Sequence, residues 1–247
     1  MEAWFVSDIH LKSVNERNGI TLLRFLNSLL EQKNRPSHLF LLGDIFDLWI
    51  GNHQFFVLKF APIVNALTQL KNAGVEVVYF EGNHDLHLKS LWKQTFEIPV
   101  YTEPRSFTLG PWTVRLEHGD YINSADKAYL RYRSVVRSPF MEAVAQIVPG
   151  FLWETIGTEA SKWSRKRSQV TREEKEGELR NLIRRYAQDS IKEGGSFNWI
   201  ITGHIHVRDE FEFEHEGAKI RSVNLGSWMQ SPQAFKLTDA RGEWVDL

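Results

Sequence analysis

Residues 38–47 of the chain read HLFLLGDIFD, an apolar run that ends abruptly in glycine and aspartate. A run of about five apolar residues is shorter than a typical buried helix, and it predicts a β-strand over residues 38–42 that is covered on both faces. Gly43 lets the backbone turn sharply, so that Asp44 follows the strand directly. The stretch therefore predicts a buried strand whose carboxyl end carries a functional side chain.

The same arrangement occurs on both sides of this stretch. Residues 3–6 and 75–80 are also apolar, and polar residues follow each run at once, Ser7-Asp8 after the first and Glu81-Gly82-Asn83 after the second. Between the three predicted strands, residues 20–30 and 55–70 place apolar side chains at helical spacing. Strands that alternate with helices predict a mostly parallel sheet, in which ligands bind at the carboxyl ends of the strands.

The second half of the chain has a different pattern. Short apolar runs predict a hairpin around Gly110-Pro111, with strands at residues 107–109 and 113–116. Successive helices are predicted at residues 125–136, 140–148, 152–167 and 172–192, and further strands at 199–202, 208–215, 219–224 and 234–237. This order predicts an α/β fold in which two stacked sheets are flanked by helices.

The composition limits the class of protein. The 247 residues are 42% hydrophobic and 25% charged, with a net charge of −1, which is typical of a globular protein with a substantial core. We expect one α/β domain over residues 1–247. The balanced charge argues against a nucleic-acid partner, and no feature predicts a protein partner. The start reads as a first strand and no run of about 18 apolar residues occurs, so we expect a cytoplasmic protein.

Five short polar segments lie at or just after predicted strands. Because the chain has no cysteine, a metal ion would be bound by imidazole, carboxylate, amide oxygen or water. In an extended segment, residues i and i+2 point the same way, so that Asp8 and His10 could bind one ion, and so could His204 and His206. The segments are Asp8-x-His10, Gly43-Asp44-x-x-Asp47, Gly82-Asn83-His84-Asp85, His118-Gly119-Asp120 and Gly203-His204-x-His206.

A carboxylate has two oxygens, so that Asp44 could bridge two ions, as in two-metal hydrolases. Mixed histidine, aspartate and asparagine ligation suits Mn²⁺, Fe²⁺ or Zn²⁺. Taken singly, the segments have ordinary explanations, since Asp44 could cap the next helix and Asn83 could form an Asx turn. The five together, each at a strand end, favour a site that binds two divalent cations.

The ordered set of segments resembles the calcineurin-like metallophosphoesterase superfamily from Asp8 to His206. The resemblance implies a four-layer αββα sandwich and a hydrolase with two metal ions. It also implies that His84 is the acid that meets the leaving oxygen and that Asp85 orients His84. It assigns Asp8, His10, Asp44 and His206 to one ion and Asp44, Asn83, His118 and His204 to the other.

Within that superfamily, the sequence is similar to the UDP-2,3-diacylglucosamine pyrophosphatases of lipid A biosynthesis. The likeness rests on residues 43–51, GDIFDLWIG, and on a pattern that runs from His118-Gly119-Asp120 to Asp126, Tyr129 and Arg133. It implies a lipid-linked nucleotide as substrate, with Asp126, Tyr129 and Arg133 among the substrate-binding residues. One position departs from the family pattern, because His84 stands where those enzymes have arginine. The departure leaves open another nucleotide diphosphate or phosphate ester as the substrate.

A helical insertion is predicted over residues 125–192. Its basic and apolar side chains are explained equally by a helical subdomain with a solvated basic face or by a lid over the site. As a lid, its apolar wall would hold acyl chains, and its basic face would contact the diphosphate or an anionic membrane surface. Basic residues predicted to bind substrate phosphate here are Arg137, Lys162, Arg165 and Lys166.

Two other functions are compatible with the same ligands. The first is a phosphodiesterase or phosphatase that acts on another nucleotide or on nucleic acid, although the net charge disfavours a nuclease. The second is a scaffold that binds metal and partners without catalysis, which the presence of every ligand and of His84 argues against.

Overall fold

The computed structural model describes residues 1–33, 35–155, 175–229 and 231–247, and of residues 156–174 it describes only the helical backbone. The strands in chain order are β1 (Glu2–Val6), β2 (His38–Leu42), β3 (Trp49–Ile50), β4 (Glu76–Phe80), β5 (Asp85–Leu86), β6 (Val100–Tyr101), β7 (Arg105–Leu109), β8 (Trp112–Leu116), β9 (Trp199–Thr202), β10 (Arg208–His215), β11 (Ala218–Leu225), β12 (Gln233–Thr238) and β13 (Gly242–Asp246). The helices are α1 (Arg17–Glu31), α2 (Gln54–Lys59), α3 (Ala61–Asn72), α4 (Lys89–Thr95), α5 (Lys127–Val136), α6 (Pro139–Ile147) and α7 (Gly150–Lys192).

Two large sheets form the centre of the fold. The first has the strand order β13-β12-β1-β2-β4-β6 and the second β10-β11-β9-β8-β7. In the first sheet β1, β2, β4 and β6 are parallel, as predicted for β1, β2 and β4. Their carboxyl ends therefore lie at one edge, where the loops with Asp8, Asp44 and Asn83 begin.

Each central strand is buried on both faces because side chains alternate in direction along it. In β1, Ala3 and Phe5 pack between the two sheets, whereas Trp4 and Val6 pack against the helices of the first sheet. The second sheet has its own outer core, in which Ala187 of α7 contacts Ile200. The layers are therefore helix, sheet, sheet and helix, which confirms the predicted αββα sandwich.

The predicted helix over residues 55–70 is wrong as one helix. It is two helices, α2 and α3, which meet at Phe60. Pro62 causes the break, since it lacks a backbone N–H and is accommodated only in the first turn of a helix. Short elements that the sequence analysis did not predict are β3, β5, β6, α4 and β13.

The insertion consists of α5, α6 and α7. The sequence predicted separate helices at residues 152–167 and 172–192, whereas α7 is one helix from Gly150 to Lys192. Among the helices of the part of the chain that is described, none is both long and apolar enough to cross a bilayer.

The C-terminal part of α7 is fixed to the second sheet by buried carboxylates. Arg180 and Arg184 both bind the buried Asp209, with N–O distances of 3.0 and 2.8 Å. Tyr186 donates a hydrogen bond of 2.7 Å to Glu117, which Arg115 also binds. Because leaving a buried carboxylate unpaired is strongly unfavourable, these contacts hold this end of the insertion in place.

An aromatic cluster supports the loop that carries Asp44. Phe46 is fully buried, and its ring lies 4.5 Å from that of Phe60 and 4.8 Å from that of Trp49. Trp49 also packs against Trp92 at 5.4 Å. Because buried side chains are packed at the density of organic crystals, these rings restrict the motion of the loop.

We expect Phe46→Ala to lower the free energy of unfolding by about 3–5 kcal/mol, because the substitution opens a cavity in this cluster. Chemical denaturation followed by tryptophan fluorescence measures the change. The matched control is Phe140→Ala, whose ring is 74% exposed and whose loss should change stability by less than about 0.5 kcal/mol. Equal stability of both variants would contradict the packing described here.

Candidate metal centre

The five predicted segments meet at one edge of the two sheets. Asp8 and Asp44 follow β1 and β2, Asn83 follows β4, and His118 and His204 follow β8 and β9 of the second sheet. One group of ligand atoms, from Asp8, His10, Asp44 and His206, lies within 4.8 Å of one another. The distance from Asp8 Oδ1 to His206 Nε2 is 3.0 Å, and the two Nε2 atoms of His10 and His206 are 3.1 Å apart.

A second group lies beside the first. His204 Nδ1 is 3.2 Å from both Asn83 Oδ1 and His118 Nε2, and His118 Nε2 is 3.4 Å from Asn83 Oδ1. Asp44 Oδ2 is 3.6 Å from His118 Nε2 and 3.9 Å from His10 Nε2. The same carboxylate oxygen is therefore near both groups.

The donor atoms fit divalent cations. Metal–ligand bonds of about 2.1 Å that meet at right angles separate two donor atoms by about 3 Å, which is the spacing of the histidine nitrogens in both groups. The groups combine imidazole, carboxylate and amide donors without thiolate, a set typical of Mn²⁺, Fe²⁺ or Zn²⁺.

Unusual backbone conformations aim the ligands. Asp8, His10, Asp44, His204 and His206 have φ angles of 51°, 53°, 53°, 68° and 59°. These values lie in the left-handed region, which costs a residue other than glycine about 1–3 kcal/mol and occurs mainly at functional sites. The extended backbone that we predicted for the i and i+2 pairs is therefore wrong. Asp8 and His10 lie in the first group, as predicted. The prediction that His204 and His206 bind one ion is wrong, because His206 lies in the first group and His204 in the second.

Close backbone approach explains one glycine of the site. A Cβ atom on Gly82 would lie 2.0 Å from Asp44 Oδ1 and 2.5 Å from the Asp44 backbone nitrogen. Only glycine therefore fits here without displacing Asp44. The same loop also binds Asp44 through His84, whose backbone N–H donates to Asp44 Oδ1 at 2.9 Å.

Asp85 is a buried anchor of both central loops. Its carboxylate accepts hydrogen bonds from the backbone N–H groups of Asp44, Ile45 and Gly82 at 3.1, 2.8 and 2.7 Å, and from the Tyr79 hydroxyl at 2.6 Å. Burial, together with the charge of Asp44, raises the pKa of Asp85 to about 7 in spite of these bonds.

The hydrogen-bond partner of His84 is therefore not Asp85, which the family resemblance had implied. Its Nδ1–H donates to the backbone carbonyl oxygen of Asp47 at 2.9 Å, whereas Asp85 binds the loops. The role predicted for Asp85, orienting His84, is wrong in this arrangement. The His84 ring lies 4.7 Å from that of His10, beside the first group of ligands.

Carboxylates determine the charge of the site. Burial alone lowers the pKa of a histidine, but Asp44, Asp120 and Asp8 outweigh burial at His118 and raise its pKa to about 9. At His204, burial and the neighbouring charge of His118 lower the pKa to about 4. Burial raises the pKa of Asp44, but nearby histidines, His118 foremost, outweigh it and leave that pKa below its usual value. The carboxylates thus favour the protonated form of His118, whereas burial favours the neutral form of His204.

The predicted substrate residues of α5 lie next to the metal centre but are engaged with the protein. Asp126 is the N-cap of α5 and accepts from the Tyr129 backbone N–H at 2.9 Å. The Tyr129 hydroxyl donates to Asp120, and the Tyr129 ring lies 5.0 Å from that of His204. Arg133 binds Asp120 at 2.8 Å. Their contact with substrate stays a prediction.

The remaining basic residues of the insertion divide into two cases. Arg137 binds Glu81 at 3.0 Å, and its side chain is nearly buried. Lys162, Arg165 and Lys166 lie outside the described residues.

Sequence reasoning missed several residues that support the site. Asp120, which binds Tyr129 and Arg133, belongs to the His-Gly-Asp segment, so the motif itself was the signal. Asp47 belongs to the Gly-Asp-x-x-Asp segment, and its Oδ1 is 4.0 Å from His10 Nδ1. Glu81 had no comparable signal, because its role depends on a contact with Arg137, 56 residues away.

Comparison with known proteins identifies the family. The family model of the calcineurin-like phosphoesterases matches residues 1–208. A Proteus mirabilis protein named UDP-2,3-diacylglucosamine hydrolase is 29% identical over 245 residues, which cover 98% of each chain. A Pseudomonas aeruginosa protein of the same name is 27% identical over 242 residues, covering 98% of this chain and 97% of that one. A solved archaeal phosphodiesterase covers all of both chains with a TM-score of 0.49 and 12% identity.

The matched region includes every predicted ligand from Asp8 to His206. The chain therefore belongs to the calcineurin-like phosphoesterase family and is a metal-dependent hydrolase.

Proposed function

We propose that this protein hydrolyses the pyrophosphate bond of a nucleotide lipid similar to UDP-2,3-diacylglucosamine, with two divalent cations, of which Mn²⁺ is our first choice. The observation that carries the proposal is the position of Asp44, whose Oδ2 lies within 3.6 Å of His118 Nε2 and 3.9 Å of His10 Nε2. One ion would be held by Asp8, His10, Asp44 and His206, and the other by Asp44, Asn83, His118 and His204.

Bound divalent cations supply an activated water near neutral pH and neutralise charge on phosphoryl oxygens. The residues of the chain hold the metal ligands in place and carry the proton. The loops anchored by Asp85 keep Asn83 and Asp44 in place. Because His84 Nδ1–H is bound to the Asp47 carbonyl, its Nε2 is the atom that can carry a proton to the leaving group.

Apolar side chains on the insertion support a lipid substrate. Phe140 and Ile147 of α6 are 74% and 79% exposed, and Phe151 at the start of α7 is 56% exposed. Large apolar side chains that stay exposed on consecutive helices are typical of a binding surface. The named relatives act on a diacylated sugar nucleotide, and we propose that these side chains receive the acyl chains, with residues 125–192 acting as a lid.

The same surface supports contact with a membrane. Lys127 and Arg131 are exposed on α5, the helix that precedes α6, and an anionic lipid surface attracts basic residues beside inserted apolar ones. We propose a cytoplasmic protein that touches the membrane surface from which its substrate comes. Co-sedimentation with anionic vesicles tests this contact, and binding unaffected by Phe140→Ser and Ile147→Ser would contradict it.

His84 favours one second candidate. The general superfamily has histidine at this position, whereas the pyrophosphatases that the sequence resembles have arginine. This residue supports a phosphodiesterase that acts on another nucleotide, with the same ions and the same acid.

We expect Asp44→Ala to lower turnover by orders of magnitude, because both groups of ligands lose the carboxylate that they share. Turnover is measured on bis(p-nitrophenyl) phosphate with Mn²⁺, beside elemental analysis of the bound metal. Asp189→Ala is the matched control, since this carboxylate is half exposed on α7. Wild-type turnover in a metal-loaded Asp44→Ala protein would refute the metal assignment.

We expect His84→Ala to slow poor leaving groups most, by about 10²–10⁴-fold for general acid catalysis. A p-nitrophenolate leaving group needs little protonation and should be affected much less. The measurement is the dependence of kcat/KM on the pKa of the leaving alcohol, with His215→Ala at the end of β10 as control. Equal slowing of all esters would argue against the acid role.

The substrate is identified by a panel assayed with Mn²⁺. It consists of UDP-2,3-diacylglucosamine, UDP-glucosamine without acyl chains, cyclic nucleotides, bis(p-nitrophenyl) phosphate and single-stranded DNA. We expect the diacylated nucleotide to have the highest kcat/KM and to yield UMP and a lipid phosphate. Preference for a cyclic nucleotide or for DNA would replace the proposal with the phosphodiesterase. A metal-loaded protein that is inert on every compound would support the scaffold.

A further inference from the structure

Arg137 lies at the C-terminal end of α5, against the loop that carries Asn83. Its Nη1 donates to Glu81 Oε2 at 3.0 Å, and its Nη2 donates to the backbone carbonyl oxygens of Glu81 and Gly82 at 3.1 and 2.9 Å. The guanidinium also lies 3.5 Å from Asp120. It therefore contacts the backbone on the N-terminal side of Asn83 directly.

The charge of this guanidinium is already neutralised within the protein. Two nearly buried carboxylates, those of Glu81 and Asp120, face it, and its own side chain is 11% exposed. Substrate phosphate would have to compete with both carboxylates and with two carbonyl groups. This geometry argues against the role that the sequence suggested for Arg137, a clamp on substrate phosphate.

The loop is held from two further directions. Glu81 Oε1 accepts from the backbone N–H of Leu88 at 2.7 Å, so that one carboxylate joins the start of the loop to its end. His87 has a left-handed backbone with φ of 59°, and its Nε2–H donates to the carbonyl oxygen of Val136 at 2.8 Å. The end of α5 thus binds the loop through Val136 and Arg137 together.

We propose that Arg137 is a positioning residue that, through Glu81 and Gly82, couples the helical insertion to the metal group of Asn83. The Asn83 side chain faces His118 and His204, while the backbone before it is bound by α5. A displacement of α5 would therefore act directly on the backbone before Asn83, whereas Asp8 and His10 follow β1 and His206 follows β9. The inference rests on the proposed two-metal function.

The test is a titration of the metal-stripped full-length chain with Mn²⁺, followed by calorimetry. We expect wild type to bind two equivalents and Arg137→Gln to weaken one of them by about 10–100-fold, the range found when residues that support metal ligands are removed. Arg137→Lys should remain weakened, because an ammonium group cannot bind Glu81 and two carbonyls in the planar arrangement of a guanidinium. Arg185→Gln, which changes an exposed arginine on α7, should bind both equivalents normally.

Steady-state kinetics at saturating Mn²⁺ separates positioning from substrate binding. Positioning predicts an unchanged KM and a need for more Mn²⁺ to reach full kcat. A raised KM with unchanged Mn²⁺ affinity would overturn the inference in favour of a phosphate clamp. Wild-type values of both KM and Mn²⁺ affinity would also overturn it. If Arg137→Gln does not fold, Glu81→Gln removes the same contact and should weaken the same equivalent. A wild-type chain that binds fewer than two equivalents overturns the proposed function itself, and this inference with it.

Discussion

The buried carboxylate of Asp85 holds the two central loops of the site in one arrangement. It accepts hydrogen bonds from the backbone N–H groups of Asp44 and Ile45, which follow β2, and of Gly82, which follows β4. A carboxylate that receives several backbone N–H groups in a buried place is a strong constraint, because removing it leaves every donor unpaired. Both groups of metal ligands depend on it, since Asp44 belongs to both and Asn83 follows Gly82.

This constraint lets the ligand residues keep a left-handed backbone. Each of them costs about 1–3 kcal/mol in backbone strain, and such strain persists only where the surrounding structure leaves no alternative. The aromatic cluster of Phe46, Trp49 and Phe60 provides that rigidity below the site. The carboxylates then concentrate negative charge where the histidine nitrogens converge. Packing, strain and charge thus favour the same result, a cluster that is preorganised for cations.

Much of the fold could be predicted because its signals are local. The apolar runs of β1, β2 and β4 and the polar residues after them indicate both the parallel sheet and the ligand positions. The break at Phe60 was also readable, since Pro62 is incompatible with a helix interior. Short elements such as β3 and β5 were not, because two residues carry no periodicity.

The details of the site could not be read from the sequence for a different reason. A left-handed aspartate or histidine looks like any other aspartate or histidine in a sequence. The partners of Asp85, Glu81 and Arg137 are set by contacts between segments that are distant along the chain. The motifs therefore identified which residues meet, whereas only the fold shows which of them bind the ligands and which bind one another. The extent of the single domain stays a prediction.

The insertion is fastened at both of its ends, by Arg137 on Glu81 at one root and by Tyr186 on Glu117 at the other. Each root touches a residue that is one or two positions from a proposed ligand, Asn83 or His118. Between these ends the insertion is also bound to α2, through Glu154 on Lys59 and the Ala145 carbonyl on His53, so that its exposed faces are the part that can vary without loss of a fastening. A fold built in this way can acquire new substrates while its hydrolytic chemistry is inherited intact.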